Sequence, residues 1–450
     1  MSHNLIVAKF GGSSMADYIS MQHSANIVLK NPAIRLVVLS ASAGVTNQLC
    51  LLAVGQHKKQ RTSILSQLVQ MQEAIINRLI HQEVIRNKIT CILSNIQALS
   101  KTAEFLQSSE LTDELISYGE LMSSLLFVEI LRERKVVAEW FDVRRVMRTD
   151  ACFGSAEPKL SMLKELVQHQ LKPLVSKALI VTQGFIGQEE KGRTTTLGRG
   201  GSDYSAAMLG EALNVKRIDI WTDVSGIYTA DPRLVPSAKR IDKITVKEAF
   251  TMATFGAKVL HPGTLLPAVR SNMSIFIGSS KHPTAGGTVV CHENHNLPLF
   301  RALVLRSHQT LLTLHNIYIL DTFGFFETVC QLLIRHGIHL DLIMRSEVKL
   351  AVTLEETWSF VIASDLLNPT LLTELAACCK LEVEENLALV SIIGNKISRV
   401  KSTDQKLLSL LDSCNIRMVF DSYPQFALCF LAPTNDAKQI IQMLHYKIFE

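Results

Sequence analysis

Two short glycine-centred stretches are the first places in this chain where chemistry could be done. In Lys9-Phe10-Gly11-Gly12-Ser13-Ser14, paired glycines follow an apolar run. Such a turn lets backbone N–H groups approach an anion closely, and a following helix would add its positive N-terminal end. Lys9 puts a cation at the same place. The spacing is neither that of a P-loop nor that of a dinucleotide fingerprint, and a plain tight turn would also use two glycines. In residues 194–203 (TTTLGRGGSD) two glycines again open a helix, between Arg199 and Ser202-Asp203. Arg199 can grip a carboxylate with two parallel hydrogen bonds. Ser202 and Asp203 stand where a helix begins and could equally cap it. A third stretch, residues 221–233 (WTDVSGIYTADPR), puts Thr222-Asp223 at a strand end, where ligands of α/β sheets bind. A fourth, residues 255–262 (FGAKVLHP), adds Lys258 as a second cation. Two anion-ready loops, two lysines and an arginine suit a phosphate donor facing a carboxylate acceptor.

These residues need elements to hold them. Residues 5–9 and 35–42 are short apolar runs separated by a helical pattern over 15–29, the opening of an α/β unit with a buried parallel sheet. Residues 63–134 carry apolar positions at three- and four-residue spacing with no proline, which predicts several helices in succession. Strands are predicted over 136–143, 178–186, 217–222 and 274–278, and a helix over 203–213. The polar stretch 292–298 (HENHNLP) reads as a linker. Its His292 and His295 are too few for a metal site and fit a solvated loop. Beyond it the pattern β-α-β-β-α occurs twice. The first pass has strands over 311–319, 337–343, 347–354 and 381–384, with helices over 324–336 and 369–377. The second has strands over 387–394, 416–421 and 426–431, with helices over 400–413 and 436–446. An internal duplication of a ferredoxin-like unit accounts for this. The expected domains are 1–292, 308–385 and 386–450.

The 450 residues suit two or three domains, and 47% hydrophobic with 19% charged residues excludes global disorder. A net charge of +5 fits small anionic ligands and gives no reason to expect nucleic acid. Nine cysteines without a C-x-x-C pair suit reduced thiols in a cytoplasmic protein. No leader, and no apolar run long enough for a membrane span, is evident.

Seen together, the motifs identify a family. KFGGSS, SASAGVTN (40–47), ELISYGELMSS (114–124), FDVRRVMRT, GRTTTLGRGGSDYSAA, WTDVSGIYTADPR and FGAKVLHPGTLLPA occur in the order found in the amino-acid-kinase family. The chain resembles its monofunctional, lysine-sensitive aspartate kinases over essentially its whole length. The resemblance implies a carbamate-kinase-like three-layer α/β sandwich followed by two ferredoxin-like ACT domains. It also implies phosphorylation of the L-aspartate side chain by MgATP, the first step toward lysine, threonine and methionine. The implied nucleotide site is Lys9, Phe10, Gly11, Gly12, Thr222, Asp223, Tyr228, Arg233, Lys258 and Val259. The implied aspartate site is Thr46, Glu120, Arg199, Gly200, Gly201 and Ser202, with Glu120 on the ammonium and Arg199 on the α-carboxylate. Lys9, Lys258 and Asp203 are the implied catalytic residues, Asp203 acting through Lys9 or its neighbours. Mg²⁺ is expected on the nucleotide phosphates, with no protein ligand. Without the family, Glu120 reads equally well as a surface carboxylate with no role. Buried beside Gly119, it would be costly to leave unpaired.

The resemblance also implies a homodimer through the ACT domains, and an L-lysine effector site at Ile319, Thr322, Gly324, Phe325, Phe326, His339, Leu340, Asp341, Ser346 and Glu347. Here the chain departs from the pattern. Met344-Arg345 replaces a pair of small threonines, Ile319 replaces a methionine and Phe326 a leucine. A cation beside a cationic effector predicts weaker inhibition by lysine. Three other readings stand beside this one. They are a different acceptor on the same kinase core, an amino-acid-sensing regulator with an inactive core, and a kinase fused to a dehydrogenase. The residues after the second repeat leave no room for the last.

Overall fold

The chain is described here from a computed structural model, which covers residues 5–257, 259–294, 297–317, 322–338, 340–346, 349–354, 368–395, 415–422 and 427–450. Its first strand, β1 (Ile6–Phe10), lies between β2 (Ile34–Leu39) and β7 (Arg217–Thr222) in an eight-stranded sheet. The order is β3-β4-β2-β1-β7-β9-β10-β8, with β3 (Ala138–Phe141), β4 (Leu179–Gln183), β8 (Lys243–Thr245), β9 (Ser274–Ser279) and β10 (Gly287–Cys291). The six strands from β3 to β9 are parallel, and β10 runs antiparallel to β9. Runs such as Leu36 to Leu39 and Ile180-Val181 are wholly buried, as unbroken apolar strands must be when both faces of a sheet are covered.

Lys9 and Phe10 show the two coverings, because consecutive strand residues point to opposite faces. Phe10 packs on Phe127 of α5 (Ser109–Glu133), with ring centroids 6.2 Å apart. Lys9 reaches Asp203 on α8 (Gly201–Leu213). The helix α1 (Tyr18–Lys30) lies beside α5, and α10 (Pro262–Ser271) lies beside α8. These layers make the three-layer α/β sandwich. The helical excursion consists of α3 (Lys58–Ile76), α4 (Glu83–Ala103) and α5, preceded by a short α2 (Val45–Ala53) that periodicity alone does not predict.

Two features differ from the sequence expectations. The helix expected from residue 15 is split into a 3₁₀ turn, Gly12–Met15, and α1, which starts only after Asp17 caps it by accepting from Ser20 N at 2.7 Å. The loop Gly11-Gly12 therefore abuts one short turn and not an α-helical dipole. A two-stranded hairpin, β5 (Ile186–Gln188) with β6 (Thr194–Thr196), was not predicted. Its three-residue strands are too short to show a period.

The described residues form two compact units. Tyr228–Lys239 and Thr254–Ala257 group with Asn296–Glu450, away from their sequence neighbours. This second unit holds a six-stranded antiparallel sheet in the order β12-β13-β11-β14-β16-β15. Its strands are β11 (Phe300–Asn316), β12 (Leu340–Arg345), β13 (Lys349–Leu354), β14 (Cys379–Gly394), β15 (Met418–Ser422) and β16 (Ala427–Pro433). β11 and β14 are long and pair along their whole lengths, so the two ferredoxin-like repeats share one sheet. The stretches expected as separate strands, 381–384 and 387–394, are the two halves of β14, which Asn386 links at φ 59°. The first repeat's core gathers Leu312, Val329, Leu333, Val352 and Leu371 from β11, α11 (Thr322–Arg335), β13 and α12 (Pro369–Ala376). The second repeat's core gathers Leu303, Val390, Phe430, Ile441 and Leu444, the last two from α13 (Thr434–Phe449). The expected helix over 400–413 lies outside the described residues. β13 is interior to this sheet, and β12 is the edge strand beside it.

Candidate active site

The carboxyl ends of β1, β2, β4, β7 and β9 converge, and backbone bonds tie their loops together. Ser40 N donates to Phe10 O at 3.1 Å, Gly184 N to Leu39 O at 2.8 Å, and Ser280 N to Thr222 O at 2.9 Å. Ser14 Oγ and Ser280 Oγ lie 2.7 Å apart. A crevice beyond the carboxyl ends of parallel strands is where α/β sheets bind ligands.

Lys9 stands at the centre. Its side chain is nearly buried, and its Nζ lies 2.6 Å from Asp203 Oδ1. Gly200, the N-cap of α8, has φ 72°, and the helix has no side-chain cap. Ser202 and Asp203 are therefore inside the first turn and cap nothing. Asp203 instead holds the lysine ammonium against the helix N-terminus. A Cβ on Gly200 would fall 2.4 Å from His261 Cβ, so this turn excludes any side chain. His261 caps α10, its Nδ1 accepting from Gly263 N at 3.2 Å. Sequence patterning did not single it out.

Gly11 is not an open anion donor, because its N–H is used by Trp221 O at 3.0 Å. Gly12 turns the chain, and its carbonyl accepts from Ala43 N at 3.1 Å. The Phe10 side chain is fully buried against Phe127 and Trp221, so only its backbone can face a ligand.

Glu120 answers the question the sequence left open. It is 3% exposed, and its Oε1 accepts from Ala41 N at 3.1 Å. Its Oε2 has no hydrogen-bond partner among the described residues. Burial pushes its pKa up to about 8, against the lowering effects of the Ala41 N–H and the Lys9 charge. Gly119 makes this possible. A Cβ there would sit 2.7 Å from Ala41 Cβ and push α5 off the 40–44 loop. A buried carboxylate with one empty oxygen is a site for a cation. Thr46 lies half-exposed in α2, whose N-cap is Gly44 in the left-handed region. Arg199 is exposed on the turn between β6 and α8, and Gly201 is buried behind it.

Thr222 and Asp223 lie at the end of β7, with Thr222 Oγ1 donating to Asp223 Oδ1 at 3.1 Å. Val259 is half-buried ahead of α10, and Lys258 lies outside the described residues. Tyr228 and Arg233 belong to the second unit, where Arg233 forks onto Asp231 with Nη2 to Oδ2 at 2.6 Å. The structure thus brings Lys9, Gly11, Gly12, Thr46, Glu120, Gly200, Gly201, Ser202, Asp203 and Thr222 into one unit. Tyr228 and Arg233 fold with the other.

Of the effector candidates, Ile319, His339 and Glu347 lie outside the described residues. Thr322 and Gly324 begin α11, with Phe325 and Phe326 half-buried behind them. Leu340 and Asp341 are on β12, and Ser346 closes the turn to β13 by donating to Lys349 O. Asp341 is already partnered. Arg306 Nη2 donates to its Oδ2, and Thr353 Oγ1 lies 3.3 Å from the same oxygen. Among the described residues, no group of three His, Cys, Asp or Glu side chains could hold a metal ion, and no helix is long and apolar enough to cross a membrane.

The chain is similar to known proteins over nearly its whole length. The sequence profile of the amino acid kinase family matches residues 4–279. The lysine-sensitive aspartokinase 3 of Escherichia coli is 55% identical over 446 residues, 99% of each chain. A crystal structure of E. coli aspartokinase III in complex with aspartate and ADP superposes with a TM-score of 0.93, covering 99% of this chain and 100% of that one. The same enzyme in complex with lysine and aspartate gives a TM-score of 0.84 at the same identity of 55%, again over 99% of this chain and 100% of that one.

Proposed function

This chain belongs to the amino acid kinase family, and from that premise we infer that it is an aspartate kinase. It transfers the γ-phosphoryl group of ATP to the side-chain carboxylate of L-aspartate, giving 4-phospho-L-aspartate and ADP. The observation that carries the reading is the buried Glu120 carboxylate with one unpartnered oxygen, at the same strand ends as the Lys9–Asp203 pair. That geometry suits an acceptor with an ammonium group.

The chemistry follows from charge. An aspartate side chain is ionised at neutral pH, so no general base is needed. A carboxylate oxygen attacks Pγ while the bond from Pγ to the ADP oxygen breaks, and ADP leaves with that electron pair. The barrier lies in bringing two anions together, so alignment and positive charge carry the catalysis. Lys9 supplies the charge, held in place by Asp203. Glu120 takes the aspartate ammonium and Arg199 its α-carboxylate, with Thr46, Gly200, Gly201 and Ser202 shaping the space between. Phe10, Gly11, Gly12, Thr222, Asp223, Tyr228, Arg233, Lys258 and Val259 serve the nucleotide. Mg²⁺ would arrive with the nucleotide and, when bound, neutralise charge on its phosphates. The kinase part spans about 1–292, the first ACT domain about 308–385, and the second 386–450 together with the start of β11, which supplies Leu303 to its core. Trapping the acyl phosphate as its hydroxamate tests the reading. Formation from ATP and aspartate supports it, and none from folded protein overturns it.

Glu120 makes aspartate binding depend on pH. The free enzyme holds a proton on this carboxyl up to about pH 8, because burial disfavours the charge. The aspartate ammonium needs the ionised form, so binding below that pH must expel the proton. Apparent aspartate KM is expected to fall about tenfold per pH unit as pH rises toward 8, then level off. Glu120→Gln should raise KM and flatten the profile. A wild-type KM that does not change between pH 6 and 8 would show that the ammonium does not displace a proton from Glu120.

Regulation is expected at the first ACT domain, with L-lysine as effector and a homodimer assembled through the edge near β12. Lysine should inhibit more weakly than the family pattern implies, because the sequence has Met344-Arg345 where the pattern has two small threonines, and Asp341 is engaged by Arg306. A lysine titration of activity, with light scattering alongside for the dimer, checks this. Half-inhibition at low micromolar lysine would refute it, and Arg345→Thr should strengthen inhibition.

A further inference from the structure

The helix α5 carries a second buried carboxylate, two turns before Glu120. Asp113 is 1% exposed. Its Oδ2 accepts from Thr196 N at 2.8 Å and Gly154 N at 2.9 Å, and its Oδ1 from Thr196 Oγ1 at 2.8 Å. It is thus fully used by the protein and open to no ligand. Its partners matter. Thr196 ends β6, three residues before Arg199, and Thr196 O accepts from Ala156 N at 2.8 Å. Leu197 N donates to Phe185 O at 2.8 Å, and Gly201 N to Gly198 O at 2.9 Å, closing the Arg199 turn. The neighbouring strap is bound to the same carboxylate through Gly154, and a Cβ on Gly198 would lie 3.2 Å from Gly154 O. Residues seven apart on a helix share a face and are separated by about 10 Å along the axis. One rigid element therefore presents both Glu120 and the anchor of the Arg199 turn.

We propose that Asp113 is a positioning residue that fixes the distance between Arg199 and Glu120, and so sets the fit for an acceptor carrying both an α-carboxylate and an ammonium. This rests on the aspartate-kinase reading above. A charged acceptor is preferred to a neutral one here because two of the three donors are backbone N–H groups that cannot turn away.

The test is the split between substrates in steady-state kinetics. Asp113→Ala should raise aspartate KM about tenfold or more while ATP KM stays within about twofold, because the segments that lose their anchor are the Arg199 turn and the Gly154 strap beside it, neither of which is assigned to the nucleotide. Asp113→Asn should restore most of the loss. The amide oxygen can accept both N–H groups, and its NH₂ can donate to Thr196 Oγ1 once that hydroxyl rotates. Should Asp113→Ala fail to fold, Thr196→Val removes one donor from the same carboxylate, and aspartate KM should rise about threefold with ATP KM unchanged. An unchanged aspartate KM in Asp113→Ala, or in Thr196→Val where Asp113→Ala does not fold, would overturn the proposal, as would equal rises for both substrates. Wild-type protein that forms no acyl phosphate from aspartate would fell the parent reading and this one together, whereas active wild type with unsplit variants fells this one alone.

Discussion

Lys9→Ala is expected to lower kcat by about 100- to 1,000-fold while moving the apparent aspartate KM only a few-fold, the range found when one preorganised donor at a developing charge is lost. The expectation follows from placement. Lys9 is the penultimate residue of the central strand β1, its ammonium is shielded from water, and Asp203 holds it 2.6 Å away at the start of α8. A cation so fixed needs no reorganisation when charge moves onto the leaving ADP oxygen, so its interaction is stronger in the transition state than in the ground state. Steady-state kinetics at saturating ATP read the effect directly. Asp203 is left without its partner in the variant, so a double variant, Lys9→Ala with Asp203→Asn, separates loss of the cation from the strain of an unpaired carboxylate. A large rise in aspartate KM with kcat preserved would assign Lys9 to substrate binding instead.

Arg199→Ala should show the opposite pattern, with aspartate KM raised about 30- to 100-fold and kcat changed only a few-fold. A grip on the α-carboxylate is made equally in the ground and transition states, so its loss appears as binding. Arg199→Lys should recover only part, since a lysine supplies the charge but not the planar fork. If Arg199→Ala lowers kcat and spares KM, the roles given to Lys9 and Arg199 are exchanged.

The chain's periodicities carried much of the architecture. β7 runs from Arg217 to Thr222, the bounds expected from the sequence. The proline-free stretch before β3 is helical, and the duplicated pattern after residue 298 is a pair of repeats. The residues proposed to face ligands were legible too, because Lys9, Glu120 and Arg199 lie in motifs whose order identifies a family. Other features were invisible for a physical reason. The hairpin of β5 and β6 is too short for a period, and the halves of β14 look separate because Asn386 interrupts the alternation.

What only tertiary structure decided is which partner each polar residue takes. Asp203 could have capped α8, but the turn at Gly200 left it inside the helix and facing Lys9. Glu120 could have been a solvated surface charge, but Gly119 let α5 close on Ala41 and buried it with one oxygen unused. Gly11 looked like an anion donor until Trp221 O took its N–H. Asp113 carried no motif at all, and its meaning lies in Thr196 and Gly154. Helix and strand preferences are set by neighbours within a few residues and can be read along the chain. Hydrogen bonds and ion pairs between distant segments depend on the order of strands in the sheet, and that order is settled only when the chain has packed.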